Sequence, residues 1–131
     1  EDWGPRFPDM TEPYDAALRR RASNGARTEG LSLRKGIYLG LLGPHHETTA
    51  EHRMARRLGA DAVGTSVVPE VLAARHMGMD VMALTLLTAQ HLTEEPVPRS
   101  PDGAPPSDGT SLQTGRSQMR RLLTTVVAEG A

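Results

Sequence analysis

Residues 36–88 alternate between short apolar runs and longer runs with helical periodicity, and this alternation limits the folds available to the chain. Three apolar runs are typical of strands, at residues 37–42, 61–64 and 81–88. Two runs with helical spacing lie between them, at residues 48–58 and 69–77. This βαβαβ order predicts an α/β fold with polar loops at the carboxyl ends of parallel strands. Because the first run has no polar alternation, we expect its strand to be covered on both faces.

Two further helices are predicted outside this alternation. The first runs over residues 13–24, with Thr11 as a candidate N-cap and Gly25 at its end. Three consecutive arginines at residues 19–21 are interpreted as a solvated face of that helix. The second helix covers residues 111–128, where apolar residues again recur on one face.

The composition argues against several classes of function. Lys and Arg total 15 and Asp and Glu total 16, so no electrostatic field favours nucleic acid or an anionic membrane. The chain has no cysteine, which excludes a disulfide framework and thiolate chemistry. The longest apolar run is far shorter than the roughly 20 residues that cross a bilayer, and no signal peptide is recognisable. We therefore expect a cytoplasmic protein.

Histidines and a glutamate follow the first predicted strand. His45, His46 and His52 lie close together in the sequence, but they do not form an HExxH arrangement, and we assign no metal site to them. Glu47 has two possible roles, because its carboxylate can accept hydrogen bonds from ligand N–H groups or can stabilise the start of a helix. His76 is interpreted as a packed or capping residue.

Thr65 and Ser66 follow the second predicted strand and precede a helix. Hydroxyl and backbone N–H groups in such a position can bind an anion such as phosphate. Ordinary capping of the helix by Ser66 is the alternative. The residue pattern alone leaves both roles open.

A series of short motifs occurs along the chain in the order found in one enzyme family. They are Arg6-Phe7-Pro8-Asp9-Met10, Tyr14-Asp15, Gly43-Pro44-x-x-Glu47-Thr48-x-Ala50-Glu51, Leu58-Gly59-Ala60-Asp61-Ala62-Val63-Gly64-x-Ser66-x-Val68-Pro69-Glu70-Val71 and Ala74-Arg75-His76. Together they resemble the C-terminal half of the trimeric-type purine nucleoside phosphorylases. The resemblance implies a phosphorylase-like three-layer α/β arrangement, a mixed central sheet flanked by helices, incomplete because the N-terminal half is missing. Residues 1–131 would form one partial domain, with a core match over 1–92, a Pro-rich loop over 93–110 and a C-terminal helix over 111–128.

Members of that family use inorganic phosphate to cleave the N-glycosidic bond of purine nucleosides, which yields the free base and pentose 1-phosphate. The resemblance implies that Glu47 binds the N–H edge of the purine and that Ser66 binds phosphate. It also places Tyr38, His46 and Thr65 near the substrate. Phosphate is then a co-substrate, and no cofactor or metal is implied. A polar clamp on the base and an anion beside the sugar would both stabilise an oxocarbenium-like transition state.

The chain departs from the family pattern at several of these positions. His46 replaces an aromatic Phe, and Thr65 replaces a Met near the ribose. Ala89 replaces the Asn that hydrogen-bonds the purine, and alanine has no group to make that bond. Asp108 aligns roughly with the family's later His. These departures make altered specificity for another heterocycle a further interpretation.

The first half of the family's chain has no counterpart in this sequence. We therefore expect a homo- or hetero-oligomer, a trimer by resemblance, and an unpaired sheet edge where further strands would pair. The chain alone should show negligible phosphorolysis, and a pentosyltransferase activity would require a partner that supplies the missing half. The alternative is a catalytically inactive phosphorylase-like remnant that binds a nucleoside or acts as a structural subunit. The expected ligands are a purine nucleoside or base and phosphate, with no nucleic acid and no membrane.

Overall fold

A computed structural model describes residues 4–88 and 109–128. The helices and strands of this part are, in chain order, α1 (Ala16–Thr28), β1 (Tyr38–Gly40), α2 (Thr49–Arg57), β2 (Ala62–Gly64), α3 (Val67–His76) and α4 (Gly109–Ala128). β1 and β2 pair in parallel, with Tyr38 opposite Ala62 and Gly40 opposite Gly64. The segment β1–α2–β2 is therefore a βαβ unit, and the predicted α/β class is confirmed.

Two expectations about the strands were wrong. Residues 81–88 do not form a strand, because a β-prone run becomes one only when a neighbour pairs with it, and none pairs with it among the residues described. The first strand is also not covered on both faces, since Ile37 is 61% exposed and Leu42 is 89% exposed. The sheet has two strands among the described residues, and the expected unpaired edge stays a prediction.

The described chain divides into two compact units. Within the described residues, the first unit draws on residues 4–33, 66–84 and 120–128. Its core lies between α1 and the end of α4, and the buried side chains are Ala22, Ala26, Leu122 and Val126. Small residues on α1 allow this close approach, because a Cβ on Gly25 would lie 3.3 Å from Thr125 Cγ2. Gly25 thus lies within α1 where this helix contacts α4, and the prediction that it ends the helix was wrong.

The actual end of α1 lies at a later glycine. Gly30 has a φ of 66°, which favours glycine, and its N–H donates to the Arg27 carbonyl. The Leu31 N–H donates to the Ala26 carbonyl at 2.7 Å, which completes a Schellman motif. The beginning also differs from prediction, because the N-cap is Asp15, whose carboxylate accepts the Leu18 N–H at 2.7 Å.

Polar contacts reinforce the packing of α1 on α4. The Arg21 guanidinium donates to the Val126 carbonyl, so the interpretation of this arginine as solvated was wrong, whereas Arg19 and Arg20 are exposed. Glu29 accepts hydrogen bonds from Arg121 Nε at 3.0 Å and from Thr125. The Arg121 guanidinium holds the pKa of the Glu29 carboxyl below its usual range.

The N-terminal segment of the first unit is attached to the end of α3. His76 lies with Nε2 3.0 Å from the Pro5 carbonyl oxygen, and its ring packs against Gly4. This arrangement agrees with the interpretation of His76 as a packed residue.

Within the described residues, the second unit draws on residues 34–65, 85–88 and 109–119 and contains the βαβ segment. Ala55 of α2 is buried, and the Asp61 carboxylate accepts the Ile37 N–H at 2.8 Å, which fixes the start of β1. Gly59, with a φ of 85°, follows α2 as predicted. Leu86 packs against Gly115 of α4, where a Cβ would lie 2.6 Å from Leu86 Cδ1.

Some predicted segments lie partly or wholly beyond the described chain. Most of the Pro-rich loop assigned to residues 93–110 lies outside the described residues, and α4 begins within its last two. The predicted helix over residues 111–128 is confirmed as part of α4. The assignment of one partial domain stays a prediction. Among residues 4–88 and 109–128, no helix combines the length and apolarity that crossing a membrane would require.

Candidate functional site

The candidate residues lie in the two segments that follow β1 and β2. The first segment runs from residue 41 to residue 48 and leads into α2, and the second is Thr65 and Ser66, which lead into α3. The carboxyl ends of parallel strands meet at one edge of a sheet, so β1 and β2 direct both segments from the same edge. Thr48 bonds Glu51 at the end of the first segment, and Thr65 of the second segment packs against Gly43 of the first.

The start of α2 is closed by its own side chains. Thr48 is the N-cap, and its hydroxyl accepts the Glu51 N–H at 3.2 Å. The Glu51 carboxylate in return accepts the Thr48 N–H at 2.8 Å and the Thr48 hydroxyl at 2.7 Å. This is a capping box, which satisfies donors that a helix start otherwise leaves without a partner. The Thr48 N–H is also the main cause that lowers the pKa of the Glu51 carboxyl.

Glu47 lies immediately before this capping box and is half-buried. One of its two predicted roles was to stabilise the helix start. That role is performed by Glu51, which sits in the first turn of α2 and bonds the N-cap. The capping box of α2 is therefore complete with Thr48 and Glu51, and the role of Glu47 in ligand binding stays a prediction.

The two histidines of this segment have different surroundings. Both are exposed, and His45 Nε2 lies 3.5 Å from Glu51 Oε1. Within residues 4–88 and 109–128, no group of three His, Cys, Asp or Glu side chains is placed to hold a metal ion.

Two glycines bring the ends of β1 and β2 into close contact. The Tyr38 hydroxyl of β1 packs directly over Gly64 of β2, so closely that a Cβ on this glycine would collide with it. The side chain of Thr65 in turn covers Gly43, where a Cβ would lie 3.3 Å from Thr65 Cγ2. The Gly43–Pro44 peptide bond that follows is cis. The structure therefore brings Tyr38 against the glycine that ends β2, and Thr65 against a glycine in the segment after β1.

Ser66 belongs to the first unit and lies at the N-cap position of α3. Its side chain makes no capping hydrogen bond, and the residue is exposed. The Val67 and Val68 N–H groups have no carbonyl within the helix to bond to, and Pro69 has no N–H. The alternative role of Ser66 as an ordinary capping residue is therefore not realised. The start of α3 is open to an acceptor of hydrogen bonds.

The role of one residue in the first turn of α2 was not predicted from the sequence. Glu51 was considered only as part of a family motif, yet it bonds the residue after Glu47 and lies beside His45. The spacing of Thr48 and Glu51 is the Ser/Thr-x-x-Glu signature of a capping box, which was the available signal. Ala89 and Asp108, the other family positions considered, lie outside the described residues.

Known proteins share both the sequence and the fold of this chain. The family model described as the phosphorylase superfamily matches residues 1–128. Purine nucleoside phosphorylase 1 of Geobacillus stearothermophilus is 49% identical over 85 residues, which are 65% of this chain and 31% of that protein. Purine nucleoside phosphorylase of Mus musculus is 46% identical over 90 residues, covering 67% of this chain and 31% of that protein. The chain thus spans about a third of the length of these relatives.

The likeness extends to solved structures. A crystal structure of schistosoma purine nucleoside phosphorylase in complex with hypoxanthine aligns with a TM-score of 0.81 at 32% identity. The alignment covers 96% of this chain and 45% of that one. A second structure, of the Schistosoma mansoni enzyme with a monocyclic inhibitor, aligns with a TM-score of 0.57 at 40% identity over 61% of this chain and 31% of that one. The chain belongs to the phosphorylase superfamily and has part of its α/β fold.

Proposed function

We propose that this chain contributes the base-binding and part of the phosphate-binding machinery of a purine nucleoside phosphorylase. The relatives that support this are named for that activity. In the proposed reaction, a phosphate oxygen bonds to the anomeric carbon of the pentose as the bond from that carbon to the purine nitrogen breaks. The electron pair of the broken bond goes to the purine nitrogen, which then takes a proton.

The observation that carries the proposal is the position of Glu47, which lies half-buried between the carboxyl end of β1 and the N-cap of α2. Glu51 and Thr48 complete the capping box of this helix between them. A carboxylate can accept two N–H groups of a purine side by side, and such charge-assisted pairs are stronger than neutral ones. We assign Glu47 to the base on this ground.

The remaining roles follow from the open start of α3 and the contacts at the strand ends. Ser66 and the N–H groups after it suit a phosphate oxygen, because this helix start lacks a side-chain cap. By resemblance to the family, Thr65 would lie near the ribose, and Tyr38 and His46 near the substrate. Phosphate is the co-substrate in this proposal, and the protein acts in the cytoplasm as a homo- or hetero-oligomer, a trimer by resemblance.

A second candidate is nucleoside binding without catalysis. It is favoured by the sequence at Ala89, which cannot make the hydrogen bond that the family's Asn makes to the purine. Under this hypothesis Glu47 still binds the base, while stabilisation of the leaving purine is lost. Inosine would bind but would not be cleaved, even when a partner supplies the first half of the family's chain.

Calorimetric titration of the 131-residue chain with hypoxanthine tests the base-binding role. Replacing Glu47 with Gln should weaken binding about 10- to 100-fold, because it removes a hydrogen-bonding charge. Glu12→Gln, a neutralised exposed acid in the N-terminal loop, is the matched control and should leave the affinity unchanged. Equal affinities of the wild-type chain and Glu47→Gln would contradict the assignment.

Phosphorolysis of inosine separates the two candidate functions. We expect negligible turnover by the chain alone and turnover after addition of a partner that supplies the missing half. Binding of inosine without turnover in both cases would favour the nucleoside-binding alternative. Robust turnover by the chain alone would contradict the need for a partner.

A further inference from the structure

The two oxygens of the Glu51 carboxylate serve different neighbours. Oε2 accepts hydrogen bonds from the Thr48 N–H at 2.8 Å and from the Thr48 hydroxyl at 2.7 Å. Oε1 lies 3.5 Å from His45 Nε2. The Glu51 side chain is 33% exposed, so water reaches only part of the carboxylate and competes only partly for its hydrogen bonds. One side chain on α2 therefore contacts two residues of the segment after β1.

These two neighbours lie on either side of Glu47. Thr48 follows it directly, and His45 precedes it by two residues. Glu51 thus contacts the chain before and after Glu47, and the backbone path between these points is short. Its restraint on Thr48 reaches the Glu47 backbone through one peptide bond, which is planar and rigid.

Helix capping alone accounts for only part of this arrangement. A capping box requires the contact between Glu51 and Thr48, and it would be complete without His45. The approach of His45 to the second oxygen adds a restraint on the loop that does not concern the helix. A binding carboxylate works only when neighbouring groups hold it close to its productive position.

We propose that Glu51 is a positioning residue for Glu47, which it holds in place through Thr48 on one side and His45 on the other. This inference rests on the proposed function, since it takes Glu47 as the group that binds the purine. Glu51 itself does not contact the base. Its loss should weaken base binding only because Glu47 is then less well placed.

Hypoxanthine titration of single and double variants tests the inference. Glu51→Ala should weaken binding on the order of tenfold, as expected for a misplaced binding group. In a Glu47→Gln background the same change should cost nothing further, because no carboxylate remains to be positioned. Glu51→Gln should restore the affinity to within about twofold, since Gln can also complete a capping box. Glu70→Gln, which neutralises the first-turn acid of α3, is the matched control and should have no effect.

Amide hydrogen exchange gives a readout that does not depend on a ligand. Exchange of the Glu47 and Thr48 amides should accelerate about tenfold in Glu51→Ala and remain unchanged in Glu70→Gln. Independent losses from Glu47→Gln and Glu51→Ala that simply add, or unchanged exchange, would overturn the inference. If the wild-type chain binds no hypoxanthine, the proposed function fails and the exchange result alone decides whether Glu51 restrains the loop. If circular dichroism shows that Glu51→Ala does not fold, Thr48→Ala replaces it as the variant that breaks the contact. Glu51→Gln remains the variant that should keep the affinity.

Discussion

The starts of α2 and α3 are built in opposite ways, although both helices follow strands of one parallel sheet. At α2 the N-cap Thr48 and Glu51 bond each other, and the helix start is closed. At α3 the N-cap Ser66 makes no side-chain capping bond, and the helix start is open. A capped helix start has donors satisfied by its own side chains, whereas an open start presents N–H donors to a ligand's acceptors. The proposed function uses this difference, because it assigns phosphate to the start of α3.

The largest effect is expected from a substitution at the end of β2, the strand that leads into the open start of α3. In Gly64→Ala the new Cβ meets the Tyr38 hydroxyl, and such overpacking should lower the free energy of unfolding by about 1–3 kcal/mol. Urea denaturation measures this change. The double variant with Tyr38→Phe should recover part of the loss, because the colliding oxygen is gone. A Gly64→Ala variant as stable as the wild-type chain would show that this contact does not hold the strand ends.

The next effect concerns phosphate at the open start. Ser66→Ala should weaken phosphate binding about tenfold, since a hydroxyl bond to a charged oxygen is lost. Titration calorimetry with inorganic phosphate measures the affinity. Ser23→Ala removes a serine hydroxyl that bonds the Arg19 carbonyl on α1, and this control should bind phosphate like the wild-type chain. Equal losses in both variants, or no loss in Ser66→Ala, would contradict the assignment of Ser66 to phosphate.

The free energy of unfolding should be affected more by Thr48→Ala than by Ser66→Ala. Thr48→Ala breaks the capping box and should cost about 1 kcal/mol in the free energy of unfolding. Ser66→Ala removes no capping bond and should change it by less than about 0.5 kcal/mol. Chemical denaturation of both variants, side by side, checks this order. A larger cost for Ser66→Ala would mean that α3 is capped by its serine after all.

The smallest expected effect is a dependence of the protein's stability on pH through Glu51 at the start of α2. The pKa of the Glu51 carboxyl is lowered in the folded chain, chiefly by the Thr48 N–H. A lowered folded pKa stabilises the fold above the unfolded value of about 4.3, and this contribution is lost as the pH falls through the folded pKa. As the pH falls from about 5 to about 3, around that unfolded value, the free energy of unfolding should therefore decrease less in Glu51→Gln than in the wild-type chain. Identical acid titrations of stability would show that the carboxylate does not strengthen the cap.

Local signals in the sequence predicted much of this architecture. The strand–helix–strand order around α2 and the helix end before Gly59 follow from periodicity and from glycine's tolerance of positive φ. The segments that carry Glu47 and Ser66 were likewise found, because polar residues after apolar runs mark strand ends. The capping box of α2 was present as a sequence signature and was missed.

Other features depend on contacts that no local pattern contains. Gly25 resembles a helix terminator, but it allows the close packing of α1 on α4. Arg21 resembles its two exposed neighbours, yet it donates to the Val126 carbonyl, 105 residues away along the chain. Residues 81–88 have strand composition but lack a pairing neighbour in the described chain. Tertiary partners decide each of these cases, and sequence spacing does not identify them.

The most direct test of the two helix starts follows the backbone amide signals of an isotope-labelled chain by nuclear magnetic resonance during two separate titrations. Hypoxanthine should shift the amides of residues 45–48, before the closed start, and phosphate should shift those of residues 66–68, at the open start. Neither ligand should cause the other's pattern. Phosphate shifts at the start of α2, or no shifts with either ligand in a folded chain, would contradict the account.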